Sequence, residues 1–149
     1  MTRSARRDFL ACLGALGAAV LAGRARAVEP PLAELEAVTR GAQVRAGRVT
    51  LEIPRLAEAA SSIPCKVSVE SPMSAGEHVR AIHLFAPKNP RPAVASFHLG
   101  PRCGRGEVAT RIRLSGTQRV LAVAELSDGS FWSAEQEVAV TISACYDGS

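Results

Sequence analysis

The residues best suited to covalent chemistry in this sequence are its four cysteines, Cys12, Cys65, Cys103 and Cys145. The thiolate is the reactive form of a cysteine, and an ordinary free thiol is only a few per cent ionised at neutral pH. Cys145 is the most telling of the four. It follows a strand-like run, Glu137-Val138-Ala139-Val140-Thr141-Ile142, and sits within a short tail, Ser143-Ala144-Cys145-Tyr146-Asp147-Gly148-Ser149. Nothing in such a tail closes a core, so the sequence predicts a flexible arm that a globular body holds out and presents. Asp147 puts a negative charge beside the thiol, so activation of the thiolate must come from elsewhere. The competing expectation is a terminal disulfide from Cys145 to Cys103 or Cys65, since exported cysteines are usually paired.

Other candidate groups carry weaker signals. His83 and His98 fall on the same outward side of probable neighbouring strands, with His78 nearby. Two histidines without a firm third ligand make a poor copper or zinc site, so solvent-facing histidines are the expectation. Arg111 and Arg113 share an outward strand face that would suit a partner protein or solvent equally. No Ser-His-Asp order, glycine-rich phosphate loop or paired-carboxylate motif appears.

The compartment decides how the cysteines are read. Arg6 and Arg7 precede an apolar stretch from Leu10 to Leu21, and a small-residue site, Ala25-Arg26-Ala27, follows. That is the layout of a twin-arginine export signal cut before Val28, too short to be retained as a membrane span. The signal holds five basic residues (Arg3, Arg6, Arg7, Arg24, Arg26) and one acidic residue, Asp8. Taking five from 18 and one from 14 leaves 13 of each sign, so the mature chain is formally neutral. No overall basic field argues for nucleic acid or an anionic membrane. Cys12 leaves with the signal, and the three remaining cysteines allow one pair at most. Cys65 with Cys103 is a possible disulfide, closing a loop of about 40 residues for a few kcal/mol. Two unpaired thiols, one buried and one exposed, is the alternative.

About 120 residues remain, enough for one domain with a single core built from Val, Leu, Ile and Ala. Leu32, Leu35 and Val38 lie at helical spacing behind Pro30-Pro31, which predicts one short helix over about 31–39, ended near Gly41. Period-two alternation then takes over. Val49 to Ile53, Cys65 to Glu70, His78 to Phe85, Val94 to Leu99, Val108 to Leu114, Arg119 to Glu125 and Gln136 to Ile142 read as strands. Cys65 shares a face with Val67 and Val69 and is expected to point inward. Leu56 to Ala60 reads as a helical turn or loop crossing, Pro87 to Pro92 as a rigid connection, and Ser127 to Ser130 as a hairpin turn. The expected fold is all-β: an immunoglobulin-like antiparallel β-sandwich over 28–142, with the signal at 1–27 before it and the cysteine arm at 143–149 after it.

The wording of several segments carries more than their pattern. Gly47-Arg48-Val49-Thr50-Leu51-Glu52-Ile53-Pro54-Arg55-Leu56-Ala57-Glu58, Ile63-Pro64, Asn89-Pro90-Arg91-Pro92-Ala93-Val94-Ala95-Ser96-Phe97, Thr110-Arg111-Ile112-Arg113-Leu114, Val120-Leu121-Ala122-Val123-Ala124 and Ser127-Asp128-Gly129 resemble SoxY. SoxY is the carrier subunit of bacterial sulfur-oxidation systems. The resemblance implies an immunoglobulin-like sandwich that pairs with a SoxZ-like subunit as a heterodimer in the periplasm. It also implies covalent carriage of sulfur on Cys145, with periplasmic enzymes that load thiosulfate, oxidise the sulfane sulfur and release sulfate. It implies a substrate carrier that needs no cofactor and catalyses nothing by itself. The arm differs from the glycine-flanked arm of many family members: Ala144, Tyr146 and Asp147 stand beside the cysteine, closer to a SoxY-related branch ending in Ala-Ala-Cys-Ile-Glu. Two further readings are an interaction module with structural cysteines and a periplasmic metal handler using Cys145 with a histidine.

Overall fold

The structure, a computed structural model, describes residues 33–142. The first element is the helix α1, Ala33–Thr39, with Glu34 and Glu36 in its first turn, where they favour the positive end of the helix dipole. It stops where Arg40 and Gly41 take left-handed backbone angles, φ 54° and 78°. Seven residues cannot hold a helix alone. Leu35 and Val38 therefore dock on Phe85, Val123 and Phe131, which form a small apolar cluster on one sheet face.

Nine strands follow among the described residues: β1 (Val44–Ala46), β2 (Val49–Glu52), β3 (Leu56–Ala59), β4 (Ile63–Val69), β5 (Val79–Phe85), β6 (Ala93–His98), β7 (Glu107–Ile112), β8 (Gln118–Leu126) and β9 (Phe131–Ile142). One sheet runs β1-β9-β8-β5-β6, with β3 added along the far part of β9, and the other runs β2-β4-β7. The main core lies between them and gathers Ile63, Val67, Ile82, Leu84, Leu114, Val120, Leu126 and Val138. Period-two alternation sets the faces. Ile82 and Leu84 point into this core, while His83 and Phe85 point to the opposite face, the one α1 covers. The two-sheet sandwich with one short helix is thus the expected fold.

Several local expectations are corrected. Leu56 to Ala59 is a strand, not a helical turn: β3 pairs in parallel with β9, Leu56 opposite Ala139 and Ala59 opposite Ile142. An otherwise open edge of β9 supplies backbone partners there, and only Ala57 of the segment turns inward. The short β1 has no counterpart among the expected strands because three residues carry no periodicity. It also pairs in parallel with β9, so the antiparallel plan has two parallel exceptions. The final strand is longer than the expected Gln136 to Ile142, running 12 residues from Phe131 to Ile142. The connection after Gly100 contains a short 3-10 helix, Pro101–Cys103.

Gly106 shows how tightly the sheets close at the end of that connection. A Cβ there would lie 2.7 Å from Val79 Cγ2 and 3.0 Å from the Val69 carbonyl oxygen. Gly106→Ala is expected to cost about 1–3 kcal/mol by overpacking, read as a lower urea midpoint with an unchanged slope.

Candidate functional site

The end of β9 positions whatever residues 143–149 do. Its first eight residues, Phe131 to Val138, ladder with β8, and the last stretch is held on both flanks. On one side Ala139 N donates to Arg55 O at 2.8 Å and Thr141 Oγ1 donates to Glu58 O at 2.9 Å. On the other, Val140 N donates to Thr117 Oγ1 at 2.9 Å. The strand is therefore anchored to within a few residues of Cys145. The predicted arm itself, Ser143, Ala144, Cys145, Tyr146, Asp147 and Gly148, lies outside the described residues, as does the 1–27 signal.

A polar knot stiffens this pole of the sandwich. Asn89 Oδ1 accepts from Ser115 N and from Gln118 Nε2, each at 2.9 Å, and Asn89 Nδ2 donates to Arg113 O at 2.8 Å. Buried Gln118 accepts from Lys88 N at 2.8 Å, and Ser115 Oγ donates to Lys88 O at 2.6 Å. Three prolines remove backbone donors from the 87–92 connection, so side chains rather than a ladder tie it down. Sequence reasoning missed these roles for Asn89, Ser115, Thr117 and Gln118. The available signal was the Asn-Pro-x-Pro wording, which marks a turn without naming its partners. Asn89→Ala removes three hydrogen bonds and is expected to cost about 2–3 kcal/mol, seen as a lower thermal midpoint.

The described cysteines part company. Cys65 is 3% exposed, inside the core, and burial pushes its thiol up to about 11. Cys103 is exposed, and both are free thiols. The possible Cys65–Cys103 disulfide is therefore not formed. Register explains why: Cys65 sits opposite Thr110 on β7, whereas Cys103 precedes the start of that strand, where Glu107 faces Ser68. A raised thiol pKa means the unfolded chain ionises first. Cys65 thus leaves stability intact below pH 9, and stability falls as pH rises toward 11.

Topology also separates Cys103 from the tail. β6 ends with His98 opposite Ala81, and Glu125 on β8 brackets Ala81 and faces Phe131, the first residue of β9. Cys103 follows β6 and so belongs to the pole where β9 begins, whereas the tail leaves from the pole where β9 finishes. A 12-residue strand spans roughly 35–40 Å, while three residues past Ile142 reach about 10 Å. Cys103 and the end of β9 therefore lie at opposite poles of the sandwich.

The histidines also depart from expectation. His98 is exposed, but His83 is only 7% exposed, with Nδ1 against Ser96 Oγ at 2.8 Å and Nε2 unpartnered. Its ring lies 6.3 Å from that of His98, edge to face, whereas His78 turns to the Ser74 carbonyl. Among the described residues no three His, Cys, Asp or Glu side chains converge to hold a metal. Burial lowers the His83 pKa, Glu125 opposes the shift and His98 adds to it. The unfolded chain then binds the proton first, so stability is expected to fall as pH drops below 6.5. In urea titrations at pH 5 and 7, His83→Leu should shrink that difference.

Comparison with known proteins agrees with this architecture. The sequence model of the family described as Sulfur oxidation protein SoxY matches residues 35–145. The sulfur carrier protein SoxY from Chlorobium limicola f thiosulfatophilum is similar in structure, with 28% identity and a TM-score of 0.62 over 73% of this chain and 94% of that one. Superoxide reductases share the fold alone. The superoxide reductase (neelaredoxin) from Ignicoccus hospitalis gives 21% identity and a TM-score of 0.57, over 63% of this chain and 80% of that one. The enzyme from Nanoarchaeum equitans gives 13% and 0.54, over 64% and 100%. No curated protein sequence matches. A family match that spans most of the chain, on a two-sheet sandwich like that of a solved member, makes this protein a member of the SoxY family of sulfur-oxidation proteins.

Proposed function

We propose that this protein is a periplasmic sulfur carrier whose Cys145 holds sulfur intermediates covalently and presents them to sulfur-oxidising enzymes. The observation that supports this reading is that neither described thiol suits the role, because one is buried and the other lies away from the end of β9. Cys65 is sealed in the core, and Cys103 stands at the far pole.

In the loading step the Cys145 thiolate and thiosulfate form a new S–S bond, giving a cysteine thiosulfonate, and two electrons leave to a partner redox protein. Hydrolysis of the terminal sulfonate then releases sulfate and leaves a persulfide. The scaffold supplies position, not catalysis: the anchored end of β9 sets where the tail starts. Export by the twin-arginine route and pairing with a SoxZ-like subunit complete the proposal.

The test is intact-protein and peptide mass spectrometry after thiol labelling without reduction. Labels on Cys145 and Cys103 but not on Cys65 are the expected result, with Cys65 joining only in denaturant. A Cys145 that labels only after reduction would point to structural cysteines instead.

A further inference from the structure

His83 has no role in holding sulfur, yet it is buried where a polar ring is costly. It lies in the middle of β5, on the sheet face that α1 covers. Its neighbours on that face are Phe85, with ring centroids 6.4 Å apart, and Val123, directly across the ladder on β8. These are two of the three residues on which Leu35 and Val38 seat the helix. His83 Nδ1 meets Ser96 Oγ at 2.8 Å, and Nε2 has no hydrogen-bond partner. In the imidazolium form both ring nitrogens carry a proton, so Nε2–H becomes a charged donor with nothing to receive it.

The surrounding charges do not compensate. Burial is the largest influence on the ring and disfavours its charged form. Glu125 of β8 favours the charged form, but Arg80 already engages that carboxylate at 3.3 Å. His98 of β6, with its ring 6.3 Å away, opposes it. On α1, Glu36 is exposed and Glu34 half-buried, and neither hydrogen-bonds to Nε2. Arg119 of β8 and Glu135 of β9 pair with each other at 3.6 Å, and Arg45 of β1 lies over Trp132.

The attachment of α1 is of a kind that one proton can upset. Its seven residues are too few to stand alone as a helix. Among the described residues no hydrogen bond or ion pair joins it to a strand, so apolar contact holds it. β6, which supplies Ser96, is instead laddered to β5 from His98 to Ala93. Releasing α1 is thus the least costly way to bring water to Nε2. We propose that His83 is an acid-sensitive latch for α1: protonation of its ring releases the helix and bares the apolar face formed by Phe85, Val123 and Phe131. The proton comes from solvent, and the step reverses when pH rises. The latch is independent of the cysteines.

The test is NMR spectroscopy of the protein between pH 7.5 and 5, following the His83 ring and the backbone amides of α1 and β4. Linkage to one proton changes the ratio of released to docked helix by at most about tenfold per pH unit. The expected result is that α1 amides move from docked toward random-coil positions along the His83 titration, below pH 6.5, while β4 amides keep theirs. His83→Leu should hold α1 docked at pH 5. His98→Gln removes a like charge and should move the release to higher pH. His98 is exposed, so this variant decides the matter if His83→Leu does not fold. Amides of α1 that stay docked while His83 titrates overturn the latch. So does a release that persists in His83→Leu or keeps its midpoint in His98→Gln. Loss of α1 and β4 signals together is global unfolding and overturns it as well.

Discussion

Replacing Cys145 with serine is expected to abolish covalent sulfur loading and sulfur-dependent respiration by the carrier, while folding and thermal midpoint stay unchanged. The serine hydroxyl is nearly isosteric but forms no S–S bond, so no partner enzyme can restore the adduct. The size of the effect follows from the lack of a substitute thiol. Cys65 is inside the core with its thiol pushed up to about 11. Cys103 belongs to the pole where β9 begins, opposite the end of that strand. Cys103→Ser should accordingly leave turnover intact. The readout is thiosulfate-dependent oxygen consumption in a reconstituted system or in cells complemented with each variant. Activity retained by Cys145→Ser would remove the chemical basis of the account.

The second large effect concerns the scaffold. Phe85→Ala should cost about 3–5 kcal/mol. Phe85 is 1% exposed and forms, with Val123 and Phe131, the floor on which Leu35 and Val38 seat α1. A seven-residue helix has no stability of its own. Loss of that floor should therefore raise amide exchange in α1 well before the sandwich unfolds. Urea unfolding combined with hydrogen exchange resolves the two contributions. Protection of α1 that survives the substitution would mean the helix is held by something other than this cluster.

The legibility of the fold follows period and length. β4, β5 and β8 have seven to nine residues each, β4 alternating cleanly, and the inward residues Cys65, Ile82 and Leu84 are where the pattern puts them. The helix is readable because Leu35 and Val38 repeat at a helical interval behind two prolines. β1 and β3 are not, because their strand state comes from the free edge of β9 rather than from their own residues. His83 defies its pattern for a related reason. Alternation correctly takes it off the main core, but a sheet face turned away from one core can still be covered, and here His83 is buried on it. Pairing of Cys65 with Cys103 looks natural in sequence because both flank strands, yet register sets them apart. The pole around Asn89 and Gln118 needs the fold itself, since its partners are 24 to 30 residues away in sequence.

The central claim is that one terminal thiol carries sulfur, and one measurement addresses it directly. The protein is isolated without reductant from cells oxidising thiosulfate, and the mass of the tryptic peptide 120–149 is determined. The account predicts an added mass of sulfane or thiosulfonate size, located on Cys145 by fragmentation and removed by a reducing agent. A terminal peptide of unmodified mass during active sulfur oxidation, or an adduct found on Cys103 instead, would contradict it.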